Sequence, residues 1–363
     1  MLLLNNEVIS EVLDMGMTMD ALEQSYIAIA RGNAICRPRI DMCFPTSDLD
    51  REYRWGTMEG GATGGYFAIR MKSDILYHQT APDGTRTREK YCGKPGMFCG
   101  LIFLTSTETG MPLALINDGV LQHMRVGGDG GLGVKHMARD DAEVVGMLGS
   151  GGMAETHMQS FCQARPIKRL QVYSPTKSNR DDFAARMAER HQIEAVACES
   201  PEEIYKGAHI VAALTDATRP VLNGALIEPG THVVNIGGGG LPDVATIARV
   251  DVYLRMGDAP AAEGLEAFDD EYLSWRATGN DPVPKNAARA HGNMLPTIRV
   301  TLNELIEESM PGRTSDDQIT WSERGNLQGA QFYAVAGRAY EEAKKRKLGR
   351  EIPDDWILQT IRN

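Results

Sequence analysis

The chain has 363 residues, 42% of them apolar and 24% charged, which is enough for more than one hydrophobic core. Its formal net charge is −11 and no basic cluster offers a footprint for nucleic acid or an anionic membrane, so an anionic ligand has to be caught by local arginines and lysines. No apolar run approaches the roughly 18 residues of a spanning helix, and the start Met1-Leu2-Leu3-Leu4-Asn5-Asn6-Glu7 lacks the basic opening and long apolar region of a secretory signal, which predicts a cytoplasmic protein.

Residues 7–31 predict one helix or two. Val8, Val12, Leu13, Leu22, Tyr26 and Ile29 recur at helical spacing, with Thr18-Met19-Asp20 as break and cap. Pro38 pushes Arg37 out of helical geometry, so residues 36–42 are extended. Between 44 and 65 the glycines Gly56, Gly60, Gly61, Gly64 and Gly65 predict a mobile loop near a site. Residues 66–75 read as a strand with Arg70 and Lys72 on one face. Two site cations and two exposed edge-strand charges explain that pair equally well. Residues 100–105 and 111–116 predict a hairpin about Thr109-Gly110. A turn at Asn117-Asp118-Gly119 then leads into a helix carrying Gln122, His123, Met124 and Arg125, whose glycines at 127, 128, 130, 131 and 133 let it approach another backbone closely.

Residues 143–154, EVVGMLGSGGMA, read as a buried strand, a glycine turn and a helix start. Gly149 and Gly151 adopt backbone angles closed to other residues, and Ala154 is small enough for the helix to sit against its strand. The exposed N–H groups and dipole of that first turn, spanning Ser150, Gly151, Gly152 and Met153, form a cradle for a dinucleotide pyrophosphate. Strands and helices continue in alternation through 169–173, 179–190, 209–214 and 232–236, which predicts a parallel sheet covered on both faces. Leu214, Thr215, Ile236 and Gly237, at strand ends, complete the predicted cofactor-binding set.

The loop after 169–173 contains Ser174, Thr176, Lys177 and Arg180 and no acid before Asp181. A carboxylate there takes the ribose hydroxyls of NAD, whereas hydroxyls and cations suit a 2′-phosphate, so NADP(H) is expected over NAD(H). The alternative is a solvated loop that caps the next helix through Ser178 or Asn179. The six cysteines form no C-x-x-C pair and no two histidines have ligand spacing, so no metal is expected.

Gly110-Met111-Pro112-Leu113-Ala114, Asp118-Gly119, Arg125, residues 138–142 (ARDDA), the Gly149 turn, Asn235-Ile236-Gly237, Leu241-Pro242-Asp243, Gly312-Arg313 and Leu348-Gly349 occur in an order and spacing that resembles the ornithine cyclodeaminase and mu-crystallin family. The resemblance implies an α/β fold in which a Rossmann-type doubly wound parallel sheet, residues 126–325, is inserted into an α+β substrate and dimerisation domain, residues 1–125 plus 326–363. It implies a homodimer, with a C-terminal helix whose stripe Phe332, Val335, Ala336, Tyr340 and Ala343 packs as core. It also implies that Arg125 grips a substrate carboxylate, that Arg39 is a second substrate arginine, and that the strand cation of the site is Arg70 or Lys72.

The departures select among the family's activities. The loop after 232–236 has glycines where cyclodeaminases carry an aspartate, and Asp243 resembles the acid of the reductase members. Val126 replaces a family threonine, and Glu323, in place of a serine near the last strand's end, is a candidate proton donor whose alternative is a solvated loop acid. The resemblance therefore implies an NAD(P)H-dependent reductase of an imine or ketimine beside a carboxylate, or an amino-acid dehydrogenase. Its partners would be an amino acid, imine or 2-oxo acid, with Lys72, Arg70, Asp243 and Glu323 as catalytic groups. A cyclodeaminase with retained NAD and a non-catalytic NADPH-dependent binding protein are the alternatives.

Overall fold

A computed structural model describes residues 1–80, 86–217, 220–236, 242–259, 272–278, 281–286, 298–323 and 325–361. The chain opens with β1 (Leu2–Leu4), α1 (Asn6–Val12), α2 (Met15–Ala30), β2 (Ala34–Cys36), β3 (Arg39–Pro45) and β4 (Glu52–Ala62). Then come β5 (Tyr66–Thr80), β6 (Arg86–Tyr91), β7 (Cys99–Ser106), β8 (Pro112–Asn117) and the long α3 (Gly119–Met137). The next stretch holds β9 (Val144–Leu148), α4 (Gly152–Ala164), β10 (Arg169–Tyr173), α5 (Lys177–His191), β11 (Glu194–Ala197), β12 (Ile210–Ala213) and β13 (His232–Asn235). It is followed by α6 (Val244–Arg249), β14 (Val252–Arg255), β15 (Tyr272–Thr278), β16 (Asp281–Asn286), β17 (Ile298–Thr301), α7 (Leu302–Ile306), β18 (Thr320–Glu323), α8 (Gln328–Arg346) and β19 (Arg350–Glu351).

The first sheet has the order β16-β15-β3-β4-β5-β7-β8-β1-β19, with β2 on β4 and β6 on β5. From β3 to β8 the neighbours are antiparallel, so one face can be core and the other not. Ile102, Leu104, Ala114 and Ile116 are fully buried in one core with Leu22 and Tyr26 of α2 and Phe332, Val335 and Ala336 of α8. Leu101, Phe103 and Leu115 alternate with them on the opposite face and stay partly exposed.

All eight strands of the second sheet are parallel, in the order β11-β10-β9-β12-β13-β18-β14-β17. Both faces are covered, as a parallel sheet requires: Val145, Met147, Phe161 and Phe183 share one core, and Ile204, Val211, Val233 and Trp321 another. The strand order reverses between β9 and β12, and in such sheets the crevice at that reversal is where ligands sit. This is the predicted α/β doubly wound architecture beside a mainly antiparallel sheet.

Helix α3 joins the two sheets. A Cβ on Gly127 would lie 2.6 Å from the Thr156 carbonyl carbon of α4, and one on Gly131 would lie 2.5 Å from the Ser160 Cβ. The helix crosses residues 125 and 126 without a break. Strand β15, although it falls in sequence between strands of the second sheet, pairs with β3 of the first, and β16 pairs with β15.

Several expectations need correction. The helical break falls at Leu13-Asp14, not Thr18-Met19-Asp20, because the Asp14 carboxylate accepts from the Met17 N–H at 2.8 Å and starts α2 there. Helix α5 begins at Lys177 with Thr176 as its N-cap residue, not Ser178 or Asn179. Residues 52–62 form a strand rather than a mobile loop. Its glycines serve close approach: a Cβ on Gly56 would meet the Asp41 carboxylate at 2.6 Å, and one on Gly60 would meet the α8 backbone at Gly329 at 2.7 Å. Gly237 lies outside the described residues.

Candidate functional site

The turn between β9 and α4 has the features a phosphate cradle needs. Gly149 has φ +115°, a region that favours glycine, and a Cβ there would collide with the Leu214 carbonyl oxygen at the end of β12. Its N–H bonds the Tyr173 carbonyl at 2.9 Å, tying the turn to the end of β10. Gly151 precedes the helix with no side-chain cap, and a Cβ on it would meet nothing within 4 Å. Open space in front of the uncapped N–H groups of Gly152, Met153 and Ala154 fits a pyrophosphate. Ser150 donates to Ser174 at 2.9 Å, so this turn and the loop after β10 move as one.

In that loop Arg180 is buried, stacks 5.5 Å from the Tyr173 ring, donates to the Ser174 carbonyl at 3.2 Å and pairs with Glu199 at 2.6 Å. Lys177 is exposed and pairs with Asp181 at 3.0 Å and Glu199 at 3.3 Å. Glu199, just beyond β11, is an acid the loop's own sequence does not reveal. Thr215 accepts from the Ala217 N–H at 3.2 Å and Leu214 bonds back to Leu148 at 2.8 Å, which places both beside the glycine turn.

Next to the turn lies a cleft of about 540 Å³. Met153 of α4 and Ile236 beyond β13 form part of its wall on one side; the first sheet and the start of α3 form the other. Arg39, Arg70, Lys72 and Arg125, singled out in the sequence, all line it, and so do Arg54, Arg88 and Lys90. His123 bridges the two regions, since a Cβ on Gly152 would lie 3.1 Å from its ring. Burial pushes the His123 imidazole below its ordinary range.

Strand register explains the gathering. Residues 70, 72, 74 and 76 of β5 share a face; across the sheet Arg54 pairs with Asp74, Gly56 with Lys72, and Lys90 with Leu76. Four carboxylates balance the base, Glu52 among them at 4.0 Å from Arg88. Asp41 accepts from the Arg39 Nε at 2.8 Å. Asp74 accepts from Arg54 at 2.9 Å and Lys72 at 2.6 Å. Asp118 accepts from the Arg70 Nε at 2.7 Å and the Arg70 Nη2 at 2.5 Å. Gly100 makes room for Asp118, with which any Cβ there would overlap. In a chain of net charge −11 the cleft thus sets seven basic side chains against four acids.

Desolvation, reinforced by Lys90 and Arg54 and only partly offset by Asp74, lowers the Lys72 ammonium to about 6. Although its own burial opposes it, Asp74 is held below the usual carboxylate range by Lys72 and Arg54. Near neutral pH, therefore, Asp74 stays ionised while Lys72 is poised to give up or take a proton.

Arg125 is held from behind. Its guanidinium lies 4.8 Å from the Phe332 ring centre, with Arg70 at 5.5 Å from the same ring. It donates to Gln122 at 2.9 Å and to Gln331, and Gln331 donates in turn to Tyr26 at 2.7 Å and Asp129 at 3.1 Å. Burial, with Asp129 beside it, pushes the Tyr26 hydroxyl far above its usual range, so it stays a neutral donor to Asp129. A polar network this deep fixes the arginine's direction.

The two acids assigned to chemistry sit elsewhere. Asp243 caps α6, accepting from the Thr246 N–H at 2.8 Å and the Gly224 N–H at 3.3 Å. Glu323 ends β18, where it accepts from Tyr253 at 2.6 Å and pairs with Arg255 at 2.8 Å. Neither is among the described residues lining the cleft. The sequence reading missed Arg54, Arg88 and Lys90. The alternation of Arg54 with Gly56 and Met58, and of Arg88 with Lys90, was the signal available.

The sequence model of the ornithine cyclodeaminase/mu-crystallin family matches residues 88–344. An alanine dehydrogenase of Archaeoglobus fulgidus is 25% identical over 359 residues, 97% of this chain and 98% of that protein. A Δ(1)-pyrroline-2-carboxylate reductase of Bacillus cereus is 26% identical over 253 residues, 70% of this chain and 74% of that protein. Among solved structures, the Thermococcus litoralis Δ(1)-pyrroline-2-carboxylate reductase, in complex with NADH and L-proline, superposes with a TM-score of 0.73 at 21% identity, covering 97% of this chain and all of that one.

Proposed function

This chain belongs to the ornithine cyclodeaminase/mu-crystallin family, and from that premise we propose that it is an NAD(P)H-dependent reductase of an imine or ketimine adjacent to a carboxylate, or equally the amino-acid dehydrogenase that runs this reaction in reverse. The observation that carries the reading is the meeting of the Gly149 turn with a cleft holding Arg125, Arg39, Arg70 and Lys72. A bound nicotinamide cofactor supplies the hydride. Arg125, with Arg39, holds the substrate carboxylate and sets its angle through planar, fork-shaped donors. Lys72 gives the proton that the reduced nitrogen acquires, and Arg70, fixed by Asp118, keeps the field around the substrate positive. Asp243 and Glu323 are left to structural roles. The residues proposed to hold the cofactor are Gly149 to Ala154, Ser174, Thr176, Lys177, Arg180, Leu214, Thr215, Ile236 and Gly237.

NADP(H) is the proposed cofactor, because the loop from Ser174 to Arg180 carries hydroxyls and the exposed Lys177 but no acid of its own. The domain proposal keeps 126–325 as the nucleotide-binding part and 1–125 with 326–363 as the part that binds substrate and pairs into a homodimer. The partly exposed face with Leu101, Phe103 and Leu115 supports such pairing. A cytoplasmic setting suits six cysteines that form no disulfide among the described residues.

The test is NADPH oxidation against a panel of cyclic imines and of 2-oxo acids with ammonia, run beside Arg125→Ala. We expect turnover by the wild type and a loss of about 3 kcal/mol in kcat/KM, about a hundredfold, in the variant. Equal turnover by the variant sinks the carboxylate assignment; a tightly retained cofactor with ammonia release and no net NADPH consumption favours a cyclodeaminase.

A further inference from the structure

The cations of the cleft fall into two groups. Arg70 and Arg125 gather about the Phe332 ring, and one carboxylate with its fork of donors accounts for them; Arg39 pairs with Asp41, which it shares with Arg54. Arg54, Lys72 and Lys90 gather further along β5, where Asp74 accepts from Arg54 and Lys72; Arg54 also lies 3.8 Å from Asp41, and Arg88 pairs with Glu52 at 4.0 Å. Lys72 and Lys90 stand within hydrogen-bonding distance of each other. Lys90 pairs with no carboxylate among the described residues. The Arg54 Nε is buried and has no hydrogen-bond partner among them. The Arg54 guanidinium and the neighbouring Lys90 carry more donors than Asp74 and the more distant Asp41 take up, and a second anion is what such a cluster accommodates.

We infer that the substrate carries a second carboxylate, received by Arg54 and Lys90, so that the enzyme acts on a dicarboxylic imino or amino acid. The inference rests on the proposed reductase reading and narrows it. Arg70 and Asp74 are four residues apart on β5, about 13 Å at the rise of a strand, and side chains reaching inward from both ends leave room for a chain of about four or five carbons.

The test measures binding to the enzyme saturated with NADPH, titrating 2-oxoglutarate and, as the single-carboxylate molecule of equal carbon number, 2-oxopentanoate. Wild type is expected to bind the diacid about tenfold more tightly, and Arg54→Gln and Lys90→Met each to cut that preference below about threefold. Lys90 is exposed, so Lys90→Met folds normally even where Arg54→Gln does not. Equal affinity of the two acids in wild type overturns the inference, as does a preference that survives both substitutions. Inorganic phosphate displacing 2-oxoglutarate at lower concentration than glutarate does also overturns it, because the second anion is then a phosphate. Preferential diacid binding without NADPH oxidation in the presence of ammonia fails the reductase reading while this inference stands. Turnover of single-carboxylate oxo acids without diacid preference does the reverse.

Discussion

At the scale of single residues the site is legible wherever charge sits on an unusual partner. Arg39, Arg70, Lys72 and Arg125 stand out in the sequence because apolar strands and a glycine-rich helix carry them, and the structure brings all four to one cleft. Asp243 and Glu323 stand apart from that cleft lining: their partners are a helix start and an Arg255 guanidinium. Lys72 gives the most direct prediction. With the free ammonium near 6, kcat/KM for imine reduction falls as pH rises above about 6, and that for amine oxidation rises; Lys72→Met abolishes both limbs and lowers kcat by about a hundredfold or more. Profiles without those limbs would remove Lys72 from proton transfer. Its folded value lies below its ordinary 10.5, so the folded protein holds fewer protons than the unfolded chain between about 6 and 10.5. Stability therefore gains from Lys72 as pH rises through that window, and thermal unfolding of Lys72→Met should show a shallower rise.

Elements were legible where period and turn chemistry agree. The hairpin of β7 and β8, the β9 turn and the long α8 each follow from their patterns, and the stripe Phe332, Val335, Ala336 and Ala343 is buried as core. Strand β4 was not legible, because its glycines read locally as flexibility while their purpose lies in distant contacts with Asp41 and α8. That misreading hid Arg54, and cross-strand register, which no single strand encodes, hid Lys90. Gly60→Ala should push α8 off β4 and cost about 1–3 kcal/mol of stability, read by denaturant unfolding. An unchanged midpoint would mean that helix and strand have slack. Gly149→Ala should weaken NADPH binding at least about tenfold, because its φ of +115° and the Leu214 carbonyl both exclude a side chain. Undiminished affinity would move the cofactor away from this turn.

For the molecule as a whole, the two-sheet plan followed from the sequence, but the pairing of β15 with β3 did not, since a long-range pairing leaves no local mark. The seam between α3 and the second sheet carries its own sensitivity. His232 is fully buried between Thr320, at 2.9 Å, and Ser322, at 3.1 Å, and burial holds its imidazole far below the ordinary 6.5. The unfolded chain takes up a proton there that the folded one refuses, so stability is complete above about 6.5 and declines as pH falls below it. Urea midpoints at pH 7.5 and 5.5 should differ in wild type and converge in His232→Gln; parallel midpoints would assign the acid sensitivity elsewhere.

The uninterrupted course of α3 sets the reach between the two ligands. Arg125 and Gly127 are two steps apart on one rod, the first lining the cleft proposed to take the acid and the second pressed against the helix that starts at the Gly149 turn. Whichever guest arrives first, it finds the other's berth already at its working distance, and the enzyme can be indifferent to the order of boarding.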